Sequence, residues 1–166
     1  MTKITLKHEI NCSVDRFWEI FLDKSFNESL FRDHLQFPHY EILRQEETEG
    51  RVTRIIKGQP NTNMPKAVMK VVGDGFGYEE EGHLDRSSQT WHFKMKTSVM
   101  PDKLRTEGQV TCEPIGDDRC RRVAVIEMEA KVFGVGKMIE QSTEKEMREG
   151  WDKSARFMND WIAKGS

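Results

Sequence analysis

The sequence predicts an α+β fold in which a curved antiparallel sheet of about seven strands wraps around one long C-terminal helix. Two patterns carry that reading. From Tyr40 to Phe133 apolar and polar residues alternate with the two-residue period of strands. From about residue 137 to 164 the period becomes helical, with an apolar stripe opposed by a Lys- and Glu-rich face. Size is the third observation. The 166 residues, 36% of them apolar, read as a single domain over 1–166. A chain of this mass buries roughly 70% of its unfolded surface, enough for one core with room for an internal cavity.

Residues 4 to 12 alternate, with Ile4, Leu6, His8, Ile10 and Cys12 on one face, as in a half-buried first strand. Ser13 then caps a short helix running to about Asp23, because Val14, Phe17, Trp18 and Phe21 share one side. A second short helix follows, capped by Ser25 or Asn27, with Phe26, Leu30 and Leu35 as its apolar side and Pro38 as its stop. Turn chemistry at Glu49-Gly50, Asp85 to Ser88, Pro101-Asp102 and Gly116 to Asp118 divides the rest into a meander.

Between strands three and four, Pro65 suits a first helical turn and Gly73 a C-cap, which predicts a short inserted helix. A strand is the alternative, since the segment is Val-rich. Strand five carries Trp91, Phe93, Met95, Thr97 and Val99 on one face. Strand six carries Leu104, Thr106, Gly108, Val110 and Cys112, and strand seven Ala124, Ile126, Met128, Ala130 and Val132. The last helix, taken over 137–164, would extend about 42 Å at 1.5 Å per residue, long enough to cross the sheet.

Charge narrows the function. A net charge of -2 and a pI near 6.2, with scattered bases, argue against nucleic-acid binding. Arg119, Arg121 and Arg122 follow Asp117 and Asp118 and read as a solvated hairpin. With neither a run of about 20 apolar residues nor a signal-like start, the expected address is cytoplasmic, with at most transient membrane contact. Cys12, Cys112 and Cys120 read as thiols in a reducing compartment. If the hairpin is centred on Gly116, Cys112 and Cys120 face each other and a cross-strand disulfide could close. Strand alternation sends Glu79, Glu80 and Glu81 to opposite faces, so neither they nor Glu46, Glu47 and Glu49 read as metal ligands. The glycines of Gly73 to Gly77 have no following helix and read as a turn. No cofactor, metal or catalytic nucleophile is assigned.

Polar groups on dry faces are costly unless a partner or ligand satisfies them. His8, Arg54 and Glu80 are such groups, and Arg54 and Glu80 lie on strands expected to be neighbours. A bulge at Gly77 or Gly82 would instead turn Glu80 outward. Thr97 adds a hydroxyl, and Tyr78 shares Glu80's face. Gly108, Gly150 and Ser154 are small residues where the sheet faces the last helix, which leaves space between the two. Met69, Met95, Met128 and Met147 supply adaptable walls, and Phe93 an apolar one. These thirteen residues form the expected ligand-binding set.

The order of strand, two short helices, six-stranded meander and long helix resembles the helix-grip fold of the START-like (SRPBCC) superfamily, which includes the birch pollen allergen, polyketide cyclases and lipid-transfer domains. Nearly the whole chain is covered. The stretch Ile10-Asn11-Cys12-Ser13-Val14-Asp15-Arg16-Phe17-Trp18-Glu19-Ile20-Phe21 is similar to that superfamily's opening. The Met64-Pro65 insertion and the Gly134-Val135-Gly136 lead-in to the last helix resemble an uncharacterised branch known only as a domain of unknown function.

The resemblance implies a cavity between the concave sheet and the long helix, usually for a lipid, sterol or other apolar molecule. The expected function is binding, with transport or sensing, of such a hydrophobic small molecule, admitted through a lid at 61–75 or at the second short helix. One alternative is a cyclase- or hydratase-type enzyme using His8, Glu80 or Arg54. The other is a protein-interaction module with a filled cavity.

Overall fold

The computed structural model describes residues 1–165. Seven strands form one antiparallel sheet in the order β1-β7-β6-β5-β4-β3-β2: β1 (Thr2–Ile10), β2 (His39–Thr48), β3 (Arg51–Gln59), β4 (Tyr78–Asp85), β5 (Thr90–Thr97), β6 (Leu104–Gly116) and β7 (Arg119–Ala130). Every strand but β1 pairs with its sequence neighbour, and β1 closes the sheet against β7 with Ile4 opposite Ile126. Such pairing needs only turns, so the turn chemistry read above specifies most of the topology.

Helix α1 (Val14–Leu22) starts at Ser13, whose hydroxyl accepts from the Arg16 N–H at 3.2 Å. It buries Phe17, Trp18 and Ile20. Helix α2 (Lys24–Glu28) is capped by Asp23 rather than Ser25 or Asn27. The Asp23 carboxylate accepts from the Phe26 N–H at 2.8 Å, Ser25 donates its hydroxyl to Asp23, and Asn27 is buried with its amide donating to the Phe21 and Asp23 carbonyls. The chain then widens into a π-helical turn over Ser29–His34. Arg32 locks this turn onto β2 through the Tyr40 carbonyl, with bonds of 2.9 and 2.7 Å, and Phe31 stacks on the Tyr40 ring at 4.3 Å.

The Val-rich insert is helical: α3 (Lys66–Val72) buries Val68 and Val72 and stops at Gly73, whose φ of 76° suits glycine. The β6–β7 hairpin departs from one expectation. Its turn is Asp117-Asp118, with Gly116 opposite Arg119, and the register slips between Pro114 and Gly116. Pro114 has no N–H for the ladder, which favours a break there. Cys112 therefore faces Arg122, and all three cysteines are free.

Helix α4 (Gly136–Ala163) packs chiefly against β1 and β7. Its first residue is a glycine that a side chain could not replace without a shift, since a Cβ there would lie 2.4 Å from the Ala130 carbonyl oxygen. Three clamps hold it. Glu140 accepts from the Thr2 hydroxyl at 2.7 Å and the Ala130 N–H at 3.1 Å. Arg122 donates to the Ser154 hydroxyl at 3.1 Å and the Trp151 carbonyl at 2.9 Å, with its guanidinium over the Trp151 ring at 4.7 Å. Asn159 accepts from the Asn11 N–H and donates to the Glu9 carbonyl. All three lie on the β1–β7 side, so the helix is fastened along one edge and stands off from the middle strands. Among the described residues no helix is long and apolar enough to cross a membrane.

Candidate functional site

The standoff leaves a partly open cavity of about 300 Å³ between α4 and the sheet, within the size range of small-molecule sites. Its floor comes from the inward faces of three strands: Arg54 and Ile56 of β3, Tyr78 and Glu80 of β4, and Trp91, Phe93, Met95 and Thr97 of β5. The roof is α4, through Thr143, Met147, Gly150, Ser154 and Met158. Met128 of β7 closes the side. Phe26 and Leu30 of the short-helix region also line it, as do Met64 and Val72 of the inserted segment and Phe76 just after it.

Ten of the thirteen expected residues therefore share this lining: Arg54, Tyr78, Glu80, Phe93, Met95, Thr97, Met128, Met147, Gly150 and Ser154. Pairing of β3 and β4 is regular, with Ile56 opposite Glu80 and Arg54 opposite Gly82, so no bulge turns Glu80 outward. The helical roof has real room at Gly150, where an added Cβ would meet nothing within 4 Å.

Three residues fall elsewhere. The His8 ring belongs to the α4 clamp, with Nε2 2.6 Å from Asp152 Oδ1 and Nδ1 3.1 Å from the Arg122 guanidinium. Since the guanidinium can only donate, Nδ1 accepts and Nε2 carries the proton toward Asp152. Met69 packs with the residues around α3 and does not reach the cavity. Gly108 opens no space: a Cβ there would sit 2.4 Å from the Val125 carbonyl oxygen and 3.0 Å from the Phe93 ring, which fills the gap. Gly82 plays the same part under Trp91, whose ring lies 2.2 Å from where a Cβ would be. Glycines in this floor admit aromatic rings, and the rings line the cavity.

Sequence reasoning missed Arg122, which reads as part of a solvated hairpin but is 3% exposed and lines the cavity. The signal was present, since Arg122 precedes Ala124 and Ile126 in the same alternation. Trp91 was placed on a dry face without being assigned to the site.

The polar groups concentrate around β3 and β4. Arg54 is 5% exposed; it donates to the Phe21 carbonyl at 2.9 Å and lies over the Trp91 and Phe21 rings at 4.8 and 5.1 Å. Among the described residues its Nε has no hydrogen-bond partner, and neither has the buried Tyr40 hydroxyl. Burial raises the Glu80 carboxyl above its ordinary 4.5, and the Arg54 charge offsets only part of that. No direct ion pair joins the two among the described residues. Burial, then the nearby Glu80 charge, raises the Tyr78 phenol well above its ordinary 10. Thr97 is already engaged, its hydroxyl donating to the Val99 carbonyl at 2.7 Å. The site thus offers, among the described residues, an unpaired guanidinium N–H and a carboxyl that burial makes harder to ionise, set in an apolar chamber.

The cysteines stand apart from it. Burial, followed by the neighbouring Cys120, pushes the Cys12 thiol up to about 12, so it carries its proton at neutral pH.

Solved structures share this architecture along almost their full length. The aromatase/cyclase Zhui from Streptomyces sp. R1128 has a TM-score of 0.68 at 12% identity, with 98% of this chain and 94% of that one covered. Norcoclaurine synthase from Thalictrum flavum, in complex with dopamine and hydroxybenzaldehyde, gives 0.68 at 15% over 99% and 88%. A START superfamily protein from Mycobacterium smegmatis gives 0.64 at 12% over 99% of each chain. At these identities the likeness establishes the fold alone, a helix-grip architecture shared with these structures. No curated protein matches the chain. A family model described as "Protein of unknown function (DUF2505)" matches residues 5–162.

Proposed function

Because the chain belongs to the DUF2505 family, whose description carries no activity, its function has to come from its own cavity, and we propose that it binds a hydrophobic small molecule bearing one polar group. Carriage or sensing of that molecule, rather than its chemical conversion, is the reading we favour. The observation that supports it most is a chamber of about 300 Å³ whose aromatic and Met walls converge on Arg54, Tyr78 and Glu80. Apolar burial at roughly 25 cal/mol per Å² would supply the affinity. A polar group reaching Arg54 Nε and the Glu80 carboxyl would supply orientation, since the buried Nε gains a partner that it lacks among the described residues. The solved relatives include one holding dopamine and hydroxybenzaldehyde, ring compounds with polar substituents, which is the kind of ligand this lining suits.

Access in this proposal runs through the inserted segment 61–75. Its Asn61, Thr62 and Met64 border the cavity, and a hydrogen bond from the Asn63 N–H to Glu146 at 3.3 Å, together with packing of Val68 and Val72 near Ile139, ties it to α4. The test is native mass spectrometry of the purified chain, with displacement of a fluorescent fatty acid as the solution readout. A bound or displaceable apolar molecule supports the proposal. Its absence at micromolar probe, with the fold intact, overturns it.

A cyclase- or hydratase-type activity is the second reading, and Glu80 favours it. A buried carboxyl with a raised pKa beside an arginine suits proton transfer to and from an enolisable substrate, a role typically worth 10²- to 10⁴-fold in rate. Its signature would be deuterium exchange into an enolisable ketone, lost in Glu80→Gln while binding persists.

A further inference from the structure

The faces of β4 and β5 that point away from the cavity bring together His83, Asp85 and His92. We propose that these three side chains form a site for a divalent transition-metal ion of the zinc and cobalt class, separate from the cavity and independent of what the cavity binds. One ligand atom from each lies within 4.8 Å of the other two. The arrangement follows from the register: His83 is directly opposite His92, and their rings stack with centroids 5.1 Å apart. Asp85, two residues along the same strand, lies on the same face, with Oδ2 3.8 Å from His83 Nε2.

The carboxylate is already oriented from behind. Arg51, opposite Asp85 on β3, donates from Nε to Asp85 Oδ1 at 3.0 Å, which leaves Oδ2 for the histidines. An outer partner of this sort orients ligating carboxylates in metal sites. The side chains of His83 and Asp85 are 34% and 30% exposed, open enough for an ion to enter and keep water at its free positions. Two imidazoles and one carboxylate suit zinc, cobalt or nickel, whereas calcium and magnesium prefer all-oxygen shells. Ligands about 2.1 Å from a tetrahedral ion sit roughly 3.4 Å apart, so binding requires the stacked rings to rotate and converge, a side-chain motion that leaves the strands in place.

An ion here would tie β4 to β5 directly behind the cavity floor, since Trp91 and Phe93 flank His92 and Leu84 follows His83. Titration of the full chain, stripped of metal, with Zn²⁺ by calorimetry and with Co²⁺ by visible absorption tests the site. The expected result is one ion per chain, a Co²⁺ spectrum without a thiolate charge-transfer band, and a Tm that rises with Zn²⁺. Both His83→Asn with His92→Asn and, separately, Asp85→Asn should weaken binding by at least about tenfold. All three residues are partly exposed, so the variants should keep the metal-free Tm. Binding that is unchanged in these variants, a sulfur-ligated Co²⁺ spectrum, or no uptake at millimolar metal overturns the proposal.

Discussion

Gly150 and Glu80 illustrate how single side chains set the properties of the cavity. Gly150 stands in the interior of a 28-residue helix, where glycine costs about 1 kcal/mol relative to alanine, and the space beside it is empty. Gly150→Ala should therefore stabilise the protein by about 1 kcal/mol in urea unfolding, while Gly150→Leu should keep the fold and abolish uptake of the fluorescent probe by filling the chamber. For Glu80, burial raises the folded-state carboxyl above its ordinary 4.5, against which Arg54 works only in part. Its contribution to stability is complete below the unfolded value and is lost as pH rises through the higher folded value. Glu80→Gln should flatten the fall in stability that the parent protein shows as urea titrations move from pH 4 to pH 8.

At the scale of elements, the start of α4 behaves in the opposite sense. Glu140 pays for partial burial with bonds from the Thr2 hydroxyl and the Ala130 N–H, which bring its carboxyl below 4.5. That contribution is present above the unfolded value and disappears as pH falls through the folded one. Glu140→Gln should remove part of the acid destabilisation, visible as a shallower loss of Tm below pH 5. The sheet floor makes a different demand. Gly82 and Gly108 sit beneath Trp91 and Phe93, and at Gly108 the backbone oxygen of Val125 also blocks a side chain. Gly108→Ala should cost roughly 1–3 kcal/mol as an overpacking change. At Gly82 only a ring must move, so Gly82→Ala should also disturb probe binding through Trp91.

For the molecule as a whole, the hollow is a consequence of asymmetric fastening. Glu140, Arg122 and Asn159 all tie α4 to the β1–β7 side, and the middle strands face it across a gap. Arg122 is the central fastener, nearly fully buried, with bonds to His8, Trp151 and Ser154. Arg122→Met should lower stability by roughly 2–3 kcal/mol, the scale of hydrogen bonds made by a charged group, and should weaken probe binding as α4 loosens. A ligand that enters only the folded chamber should raise stability by about 2.7 kcal/mol at a hundredfold excess over its Kd. In Gly150→Leu that gain should vanish.

Local periodicity determines much of this protein. Alternation along β3 and β4 turned Arg54, Tyr78 and Glu80 to one face, and the helical stripe of the last segment identified the roof. Turn residues ordered the meander, and Pro65 and Gly73 marked α3. These signals are legible because strand and helix periods are properties of neighbouring residues. What only the tertiary structure decided depends on contacts between distant ones. The slip at Pro114 put Cys112 opposite Arg122, and the long-range clamp with Arg122 and Asp152 took His8 away from the chamber. Phe93 claimed the space above Gly108, and cross-strand register set His83 against His92. A residue's face can be read from its neighbours, but what it meets there is chosen by the packing of the whole chain.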